Sequence, residues 1–257
     1  MEHPAAATPE TGPAAVARAA AEADDAYRRG ALDLLGVIAY GALAAFDRLS
    51  EDARLAPTLP DKLHMARMAA RQVSHVDQVR DRLAQFDLDV VVAMRPFHEA
   101  FNGFHDHTRP KDWLEGLVKA YVGDGIAADF YREVAAFVDA DTRALVHEVL
   151  ADEVPGEGAS GEGVPVEGGH ADFVVARIRD AIAADARVAG RLALWSRRLV
   201  GEALSQAHRV AAEREALTSL LTGTVDRPGR DLAAVSRLFS RLTENHTRRM
   251  AALGLQA

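Results

Sequence analysis

Two segments about a hundred positions apart combine a histidine with an acid or an amide at helical spacing. In the first, Arg-Gln-Val-Ser-His-Val-Asp, Gln72 stands three residues before His75. In the second, Val-Glu-Gly-Gly-His-Ala-Asp, Glu167 stands three residues before His170. Positions i and i+3 lie on one face of a helix, so each segment can present an oxygen and an imidazole nitrogen to one metal ion. The spacing therefore indicates a metal site assembled from two helices.

Two other segments supply the single positions that would complete such a site. Ala42, in the first half of the chain, aligns with Asp124 in the second half, which gives an internal pseudo-repeat. Its halves read Ala42, Gln72, His75 and Asp124, Glu167, His170. One inward carboxylate on each of two helices, with Glu-x-x-His on each of the other two, is the di-iron constellation of ferritin-like bundles.

The two halves differ in the chemistry that they offer to a metal. The second half keeps all three ligands, whereas the first keeps only His75. Ala42 has no donor atom, and Gln72 offers only a neutral carbonyl oxygen in place of a bridging carboxylate. Three alternatives stay open: a complete di-iron pair, a single ion held by the second half with or without His75, and core histidines that bind no metal.

Composition limits the class of protein. The chain has 257 residues, of which 49% are hydrophobic, enough for one large domain. It has no cysteine, which excludes disulfides, thiolate metal sites and cysteine nucleophiles. The formal net charge of −8 argues against a generally basic nucleic-acid binder. The charge is uneven, however, because twelve arginines and only six acids lie from Arg187 onward.

Neither a membrane span nor a targeting segment is predicted. No apolar run approaches about 20 residues without a charge, the length that a membrane span needs. The first residues lack a basic segment followed by an apolar core, so they do not form a signal peptide. We therefore expect a soluble, cytoplasmic protein.

Apolar residues recur at intervals of three and four along most of the chain, which predicts helices throughout. We expect a disordered tail at residues 1–22 and a helical domain at residues 23–257, with a flexible insertion at 154–169. The predicted core helices span about 25–50, 61–86, 111–138 and 170–185. Helices at about 187–221 and 231–253 pack outside or across them. The fold class is all-α, a ferritin-like four-helix bundle with additional C-terminal helices.

Three segments of the chain resemble one known family, and they are Leu34–Gly41, Lys119–Gly125 and Leu192–Gln206. The family is the actinobacterial group of ferritin-like proteins related to MiaE, the tRNA-(2-methylthio-N6-isopentenyladenosine) hydroxylase. The resemblance implies a non-haem iron-dependent hydroxylase or monooxygenase. It also implies glutamates where this chain has Ala42 and Gln72, and an uninterrupted helix in place of the insertion.

The resemblance further implies a tRNA partner. The tRNA phosphates would meet the Arg-rich C-terminal helices, where Arg197, Arg198 and Glu202 are candidate substrate-binding residues. The departures at Ala42 and Gln72 favour the alternative, a non-catalytic ferritin-like scaffold or binding protein that kept the bundle and lost the site. A homo-oligomer is compatible with both hypotheses.

Overall fold

The computed structural model describes residues 13–151, 169–222 and 232–257, which form α-helices without any β-strand among them. The helices are α1 (Pro13–Asp52), α2 (Leu59–Ala84), α3 (Val90–Met94), α4 (His98–His107), α5 (Trp113–Val118), α6 (Gly125–Ala135), α7 (Ala140–Val149), α8 (His170–Ala184), α9 (Arg187–Glu213), α10 (Glu215–Thr222) and α11 (Leu232–Leu253). A π-helix, Lys119–Asp124, joins α5 to α6 without a break. The predicted all-α fold is confirmed.

Several boundaries differ from those that the sequence predicts. Helix α1 begins at Pro13, so it includes residues 13–22 of the predicted tail. Residues 1–12 of that tail, and residues 154–168 of the predicted insertion, lie outside the described residues. The predicted helix at 111–138 is found as α5, the π-helix and α6.

The start of α2 shows how side chains fix both a helix end and a helix–helix contact. Thr58 is the N-cap, and its hydroxyl oxygen accepts from the backbone N–H of Asp61. Asp61 lies in the first turn, where its buried carboxylate accepts from Thr58 Oγ1 and from Arg177 Nε of α8. The pair between Asp61 and Arg177 therefore ties α2 to α8.

The interior divides into two hydrophobic clusters along the bundle. The first core contains Leu34, Leu35, Val79, Leu83 and Phe97, from the middle of α1, the C-terminal half of α2 and the short helical turn that follows α3. The second core contains Leu49, Met65, Met68, Leu117, Ile178, Leu192 and Trp195, from the opposite ends of α1 and α2 and from α5, α8 and α9. Helix α1 runs through both cores and is the central element of the fold.

Among the described residues, one segment, Asp24–Leu55 within and just beyond α1, is long and apolar enough to cross a membrane by composition. The sequence predicts a core helix at about 25–50 and no membrane span. In its most apolar window, 67% of the residues are buried inside the protein. Helix α1 packs against α2, α3 and α10. The segment therefore has the burial of a core helix.

Candidate functional site

The predicted ligand Asp124 lies at the end of the π-helix and binds a buried arginine. Arg48 of α1 donates from Nη1 and Nη2 to the two carboxylate oxygens of Asp124, at 2.9 and 2.6 Å. The Arg48 side chain is only 7% exposed. A bidentate guanidinium–carboxylate contact of this kind is among the strongest charge-assisted pairs in proteins. Asp124 therefore faces the bundle interior, but its partner is a cationic side chain.

The π-helix brings Lys119 and Asp124 to the same side of the chain. In a π-helix the hydrogen bonds join residues five apart, and such turns occur frequently at functional sites. Gly123 and Gly125 flank Asp124, and glycine lowers the preference for a regular α-helix. A Cβ on Gly125 would lie 2.8 Å from Cδ of Arg249, so the glycine also permits a close approach by α11.

Lys119 is a buried amine beside this pair. Its side chain donates to the carbonyl oxygen of Thr108 at 2.8 Å and lies over the ring of Phe104. Burial lowers its pKa to about 7, with a further contribution from Arg48 and an opposing one from Asp52 and Asp124. Lys119 therefore exchanges between its charged and neutral forms near neutral pH.

Asp52 completes a cluster of four buried or half-buried charges, which we call the Arg48 cluster: Arg48, Asp52, Lys119 and Asp124. A Cβ on Gly116 would lie 2.8 Å from Asp52 Oδ2, so α5 approaches this carboxylate closely. Asp52 Oδ2 is buried without a hydrogen-bond partner, and burial raises the pKa of Asp52. Two basic and two acidic groups thus balance one another inside the second core.

The predicted ligand His170 is buried at the first turn of α8. Its Nδ1 lies 3.0 Å from the thioether sulfur of Met68 on α2. Burial lowers the pKa of His170 to about 3, and the positive charges of Arg48 and Arg71 contribute in the same direction. The imidazole is therefore neutral at pH 7. Met68, the residue that His170 contacts, lies seven positions before the predicted ligand His75 on the same helix. His75 itself is half-buried.

The remaining predicted metal residues do not complete a di-iron ligand set. Ala42 is buried, Gln72 is half-buried, and Glu167 lies outside the described residues. Within the part of the chain that the structure describes, no group of three or more His, Asp or Glu side chains is arranged to hold a metal ion. Both oxygens of Asp124 are occupied by Arg48. The described donors therefore do not fit a di-iron centre, and the full ligand set with Glu167 stays a prediction.

The predicted substrate-binding residues lie on α9, where it passes the end of α4. Arg198 donates to the carbonyl oxygen of His107 at 2.6 Å. Glu202 lies 2.8 Å from His107 Nδ1 and accepts from Gln206, and these two hydrogen bonds lower the pKa of Glu202. Arg197 is exposed on the same helix. Arg198 and Glu202 are four positions apart, so they share the helix face that contacts α4.

A groove of about 450 Å³ opens at the first core, between α1, α3 and the junction of α9 with α10. Leu32, Leu88, Val92 and Pro96 form its apolar part. Asp33 and Arg214, which form an ion pair, also line it. Neither the predicted metal residues nor the Arg48 cluster contribute to this groove.

The sequence reasoning missed Arg48, Asp52 and Lys119. A signal was present for Arg48, because it follows Ala45 by three positions on the apolar face of α1. An arginine at a core-facing position requires a buried partner. The sequence could not name Asp124 as that partner, since the two residues are 76 positions apart.

The all-α bundle, with a long central helix and inward polar residues from several helices, defines a ferritin-like protein. The family described as "Ferritin-like domain, actinomycetes" matches residues 25–224. The chain therefore belongs to this family.

One solved structure extends the likeness in fold. It is described as "Protein 19 with aldehyde deformylating oxidase activity from Synechococcus" and superposes with a TM-score of 0.64 at 18% sequence identity. The match covers 90% of this chain and 93% of that chain. At this identity the likeness shows the fold alone. A search of the curated proteins finds no match to the chain.

Proposed function

We propose that the chain is a non-catalytic ferritin-like protein, a scaffold or binding module, in which a buried ion pair takes the place of the metal centre. The observation that carries the proposal is the bidentate contact between Arg48 and Asp124. Among the described positions of the pseudo-repeat, Asp124 is the only carboxylate, because Ala42 and Gln72 stand where acids are expected.

Charge balance supports this proposal. A pair of divalent ions brings four positive charges, which bridging carboxylates normally neutralise. The Arg48 cluster already contains two basic groups beside its two acids. A metal bound by Asp124 would have to displace Arg48, and leaving one member of a buried ion pair without its partner costs about 3–5 kcal/mol. Arg48 therefore already supplies the positive charge that Asp124 would otherwise offer to a metal.

The test is iron binding under anaerobic conditions. We expect purified protein incubated with ferrous iron to retain well under one iron per chain after desalting. Its melting temperature should not change with iron, because only a ligand that binds the folded state raises it. About two irons per chain, with an iron-dependent rise in melting temperature, would contradict the proposal.

The variant Ala42→Glu/Gln72→Glu provides a sharper comparison. It returns two carboxylates to the positions that the family pattern implies, and each buried acid should destabilise the metal-free protein. If these positions face a metal site, iron should raise the melting temperature of the variant and not that of the parent. A variant that folds and gains no iron-dependent stability would show that the aligned positions do not form a metal site.

An iron-dependent tRNA hydroxylase related to MiaE is the second candidate. The resemblance to that family favours it, as do the exposed arginines Arg197 and Arg198 on α9. This function requires Glu167 to bind iron, and it requires the contact between Arg48 and Asp124 to break so that Asp124 can bind iron too. A gel-shift assay with tRNA tests it, because phosphate contacts make binding dependent on salt and on basic side chains. Binding that Arg197→Glu abolishes would favour the hydroxylase, and no binding at physiological salt would remove it.

A further inference from the structure

Helices α2 and α8 meet through two successive side-chain pairs. His64 of α2 stacks on Phe173 of α8, with ring centroids 3.9 Å apart and an interplanar angle of 15°. Met68, one turn further along α2, contacts Nδ1 of His170 through its sulfur. Residues three and four apart share a helix face, so both pairs lie in one interface. His64 and Met68 therefore lie one turn apart on the face of α2 that meets Phe173 and His170 of α8.

The donor atoms of these three residues are uncharged and sheltered from water. His64 Nε2 is buried and has no hydrogen-bond partner. Burial lowers the pKa of His64 to about 4 and that of His170 to about 3, so both imidazoles are neutral at pH 7. Met68 contributes a thioether and is almost completely buried. Two neutral imidazoles and a thioether form a soft donor set with no carboxylate in it.

We propose that His64, Met68 and His170 form a binding site for a monovalent soft metal ion, Cu(I). Thioether sulfur selects Cu(I) among the biological metals, and imidazole also suits copper. Carboxylate-dependent ions such as Mg²⁺ and Ca²⁺ find no ligand in this set. The site shares His170 with the predicted di-iron set, but it takes Met68 and His64 as its other donors and uses neither Gln72 nor Asp124.

The surrounding charges favour a monovalent ion over a divalent one. Besides burial, Arg71, Arg177 and Arg67 lower the pKa of His64 against an opposing effect of Asp61, the partner of Arg177. Arg48 and Arg71 also lower the pKa of His170, so basic side chains outnumber acids around the site. The electrostatic cost of entry is proportional to the charge of the ion and is twice as large for Zn²⁺ or Fe²⁺. The ion binds as Cu(I) without electron transfer. If His170 Nδ1 carries the ring proton, that proton moves to Nε2 of the same ring, and none is released.

The experiment is an anaerobic titration of the full chain with Cu(I), in competition with a colorimetric Cu(I) chelator. We expect one Cu(I) per chain, and X-ray absorption should show scattering from one sulfur and two nitrogen neighbours. Met68→Leu should weaken Cu(I) affinity at least tenfold and remove the sulfur signal. Met65→Leu is the matched control, because Met65 is equally buried on the same helix. That control should leave both the affinity and the sulfur signal unchanged.

If circular dichroism shows that Met68→Leu does not fold, His64→Gln provides a second test of the site. His64 is only half-buried, so this variant should fold, and it should also weaken Cu(I) binding at least tenfold. The proposal is overturned if the parent binds no Cu(I), or if Met65→Leu weakens binding as much as the site variants. Equal affinity of the parent for Zn²⁺ would also overturn it, as would bound copper without a sulfur neighbour.

Discussion

The two cores of this bundle bury different kinds of side chain. In the first core, glycines allow backbone to approach backbone: a Cβ on Gly30 would lie 2.5 Å from the carbonyl oxygen of Ala216, and one on Gly36 would overlap the carbonyl of Ala93. In the second core, glycines allow charged side chains to approach a helix, since Gly116 faces Asp52 and Gly125 faces Arg249. The first core is mainly close-packed apolar structure, and the ion pairs beside it include Asp33 with Arg214.

The second core, by contrast, encloses a network of ionisable groups. Its buried polar residues include Arg48, Asp52, Asp61, Glu115, Lys119 and His170. Most are paired across helices, as Glu115 of α5 is with Arg191 of α9. Buried charges are tolerated only when they are paired and hydrogen-bonded. The first core is therefore stabilised mainly by apolar packing, whereas the stability of the second core also depends on ion pairs and hydrogen bonds between its charged side chains.

The largest expected effect comes from breaking the central pair. Arg48→Ala leaves the half-buried Asp124 carboxylate without its partner, so the free energy of unfolding should fall by up to about 3–5 kcal/mol, the cost for a fully buried pair. Urea denaturation measures it. The double variant Arg48→Ala/Asp124→Ala should recover part of the loss, because no unpaired charge remains. If the single and double variants lose the same stability, pairing is not what holds the second core.

The next effect is a pH dependence produced by Lys119. The pKa is about 7 in the folded protein and 10.5 in the unfolded chain, so the unfolded chain binds more protons between these values. The contribution of Lys119 to stability should therefore rise as pH increases from about 7 to about 10.5. Lys119→Met should remove this rise, measured as the difference between parent and variant melting curves across that range. A constant difference would contradict the lowered pKa.

A smaller effect tests the close packing of the first core. Gly36→Ala places a methyl group against the backbone of α3, which cannot move as a flexible side chain can, so we expect a loss of about 1–3 kcal/mol. Gly190→Ala on α9 is the matched control, because a Cβ at that position would have nothing within 4 Å. The control should be neutral or stabilising by about 0.5–1 kcal/mol. Similar losses in both variants would contradict backbone contact as the cause.

The smallest effect is at the rim of the second core. Arg198 lies over the ring of Trp195 and donates to His107, so Arg198→Ala should cost about 0.5–1 kcal/mol. Arg197→Ala, at the exposed neighbouring position, should change stability by less than about 0.5 kcal/mol. Thermal denaturation of the two variants measures this. A larger loss at Arg197 would show that the exposed face of α9 is engaged in a contact of its own.

The sequence by itself determined the helices, because helix formation follows local rules that a single segment carries. The recurrence of apolar residues at intervals of three and four predicted α2 and α9. The predicted start of α2, at about residue 61, lies two residues from the observed first residue, Leu59. The ferritin-like class was predicted from the spacing of the candidate ligands and from the resemblance of three segments to a known family, and the family match confirms it. The π-helix was not predicted, since a single extra residue in one turn barely changes the apolar pattern.

Only the tertiary structure decided what the inward polar residues meet. Met68 and His170 are 102 positions apart, and Arg48 and Asp124 are 76 apart, so no local pattern joins them. The pseudo-repeat selected residues that a metal would need, but it could not show that an arginine from α1 reaches Asp124. A charged group buried by packing takes whichever partner the neighbouring helices present, and that choice depends on how the helices are arranged in space.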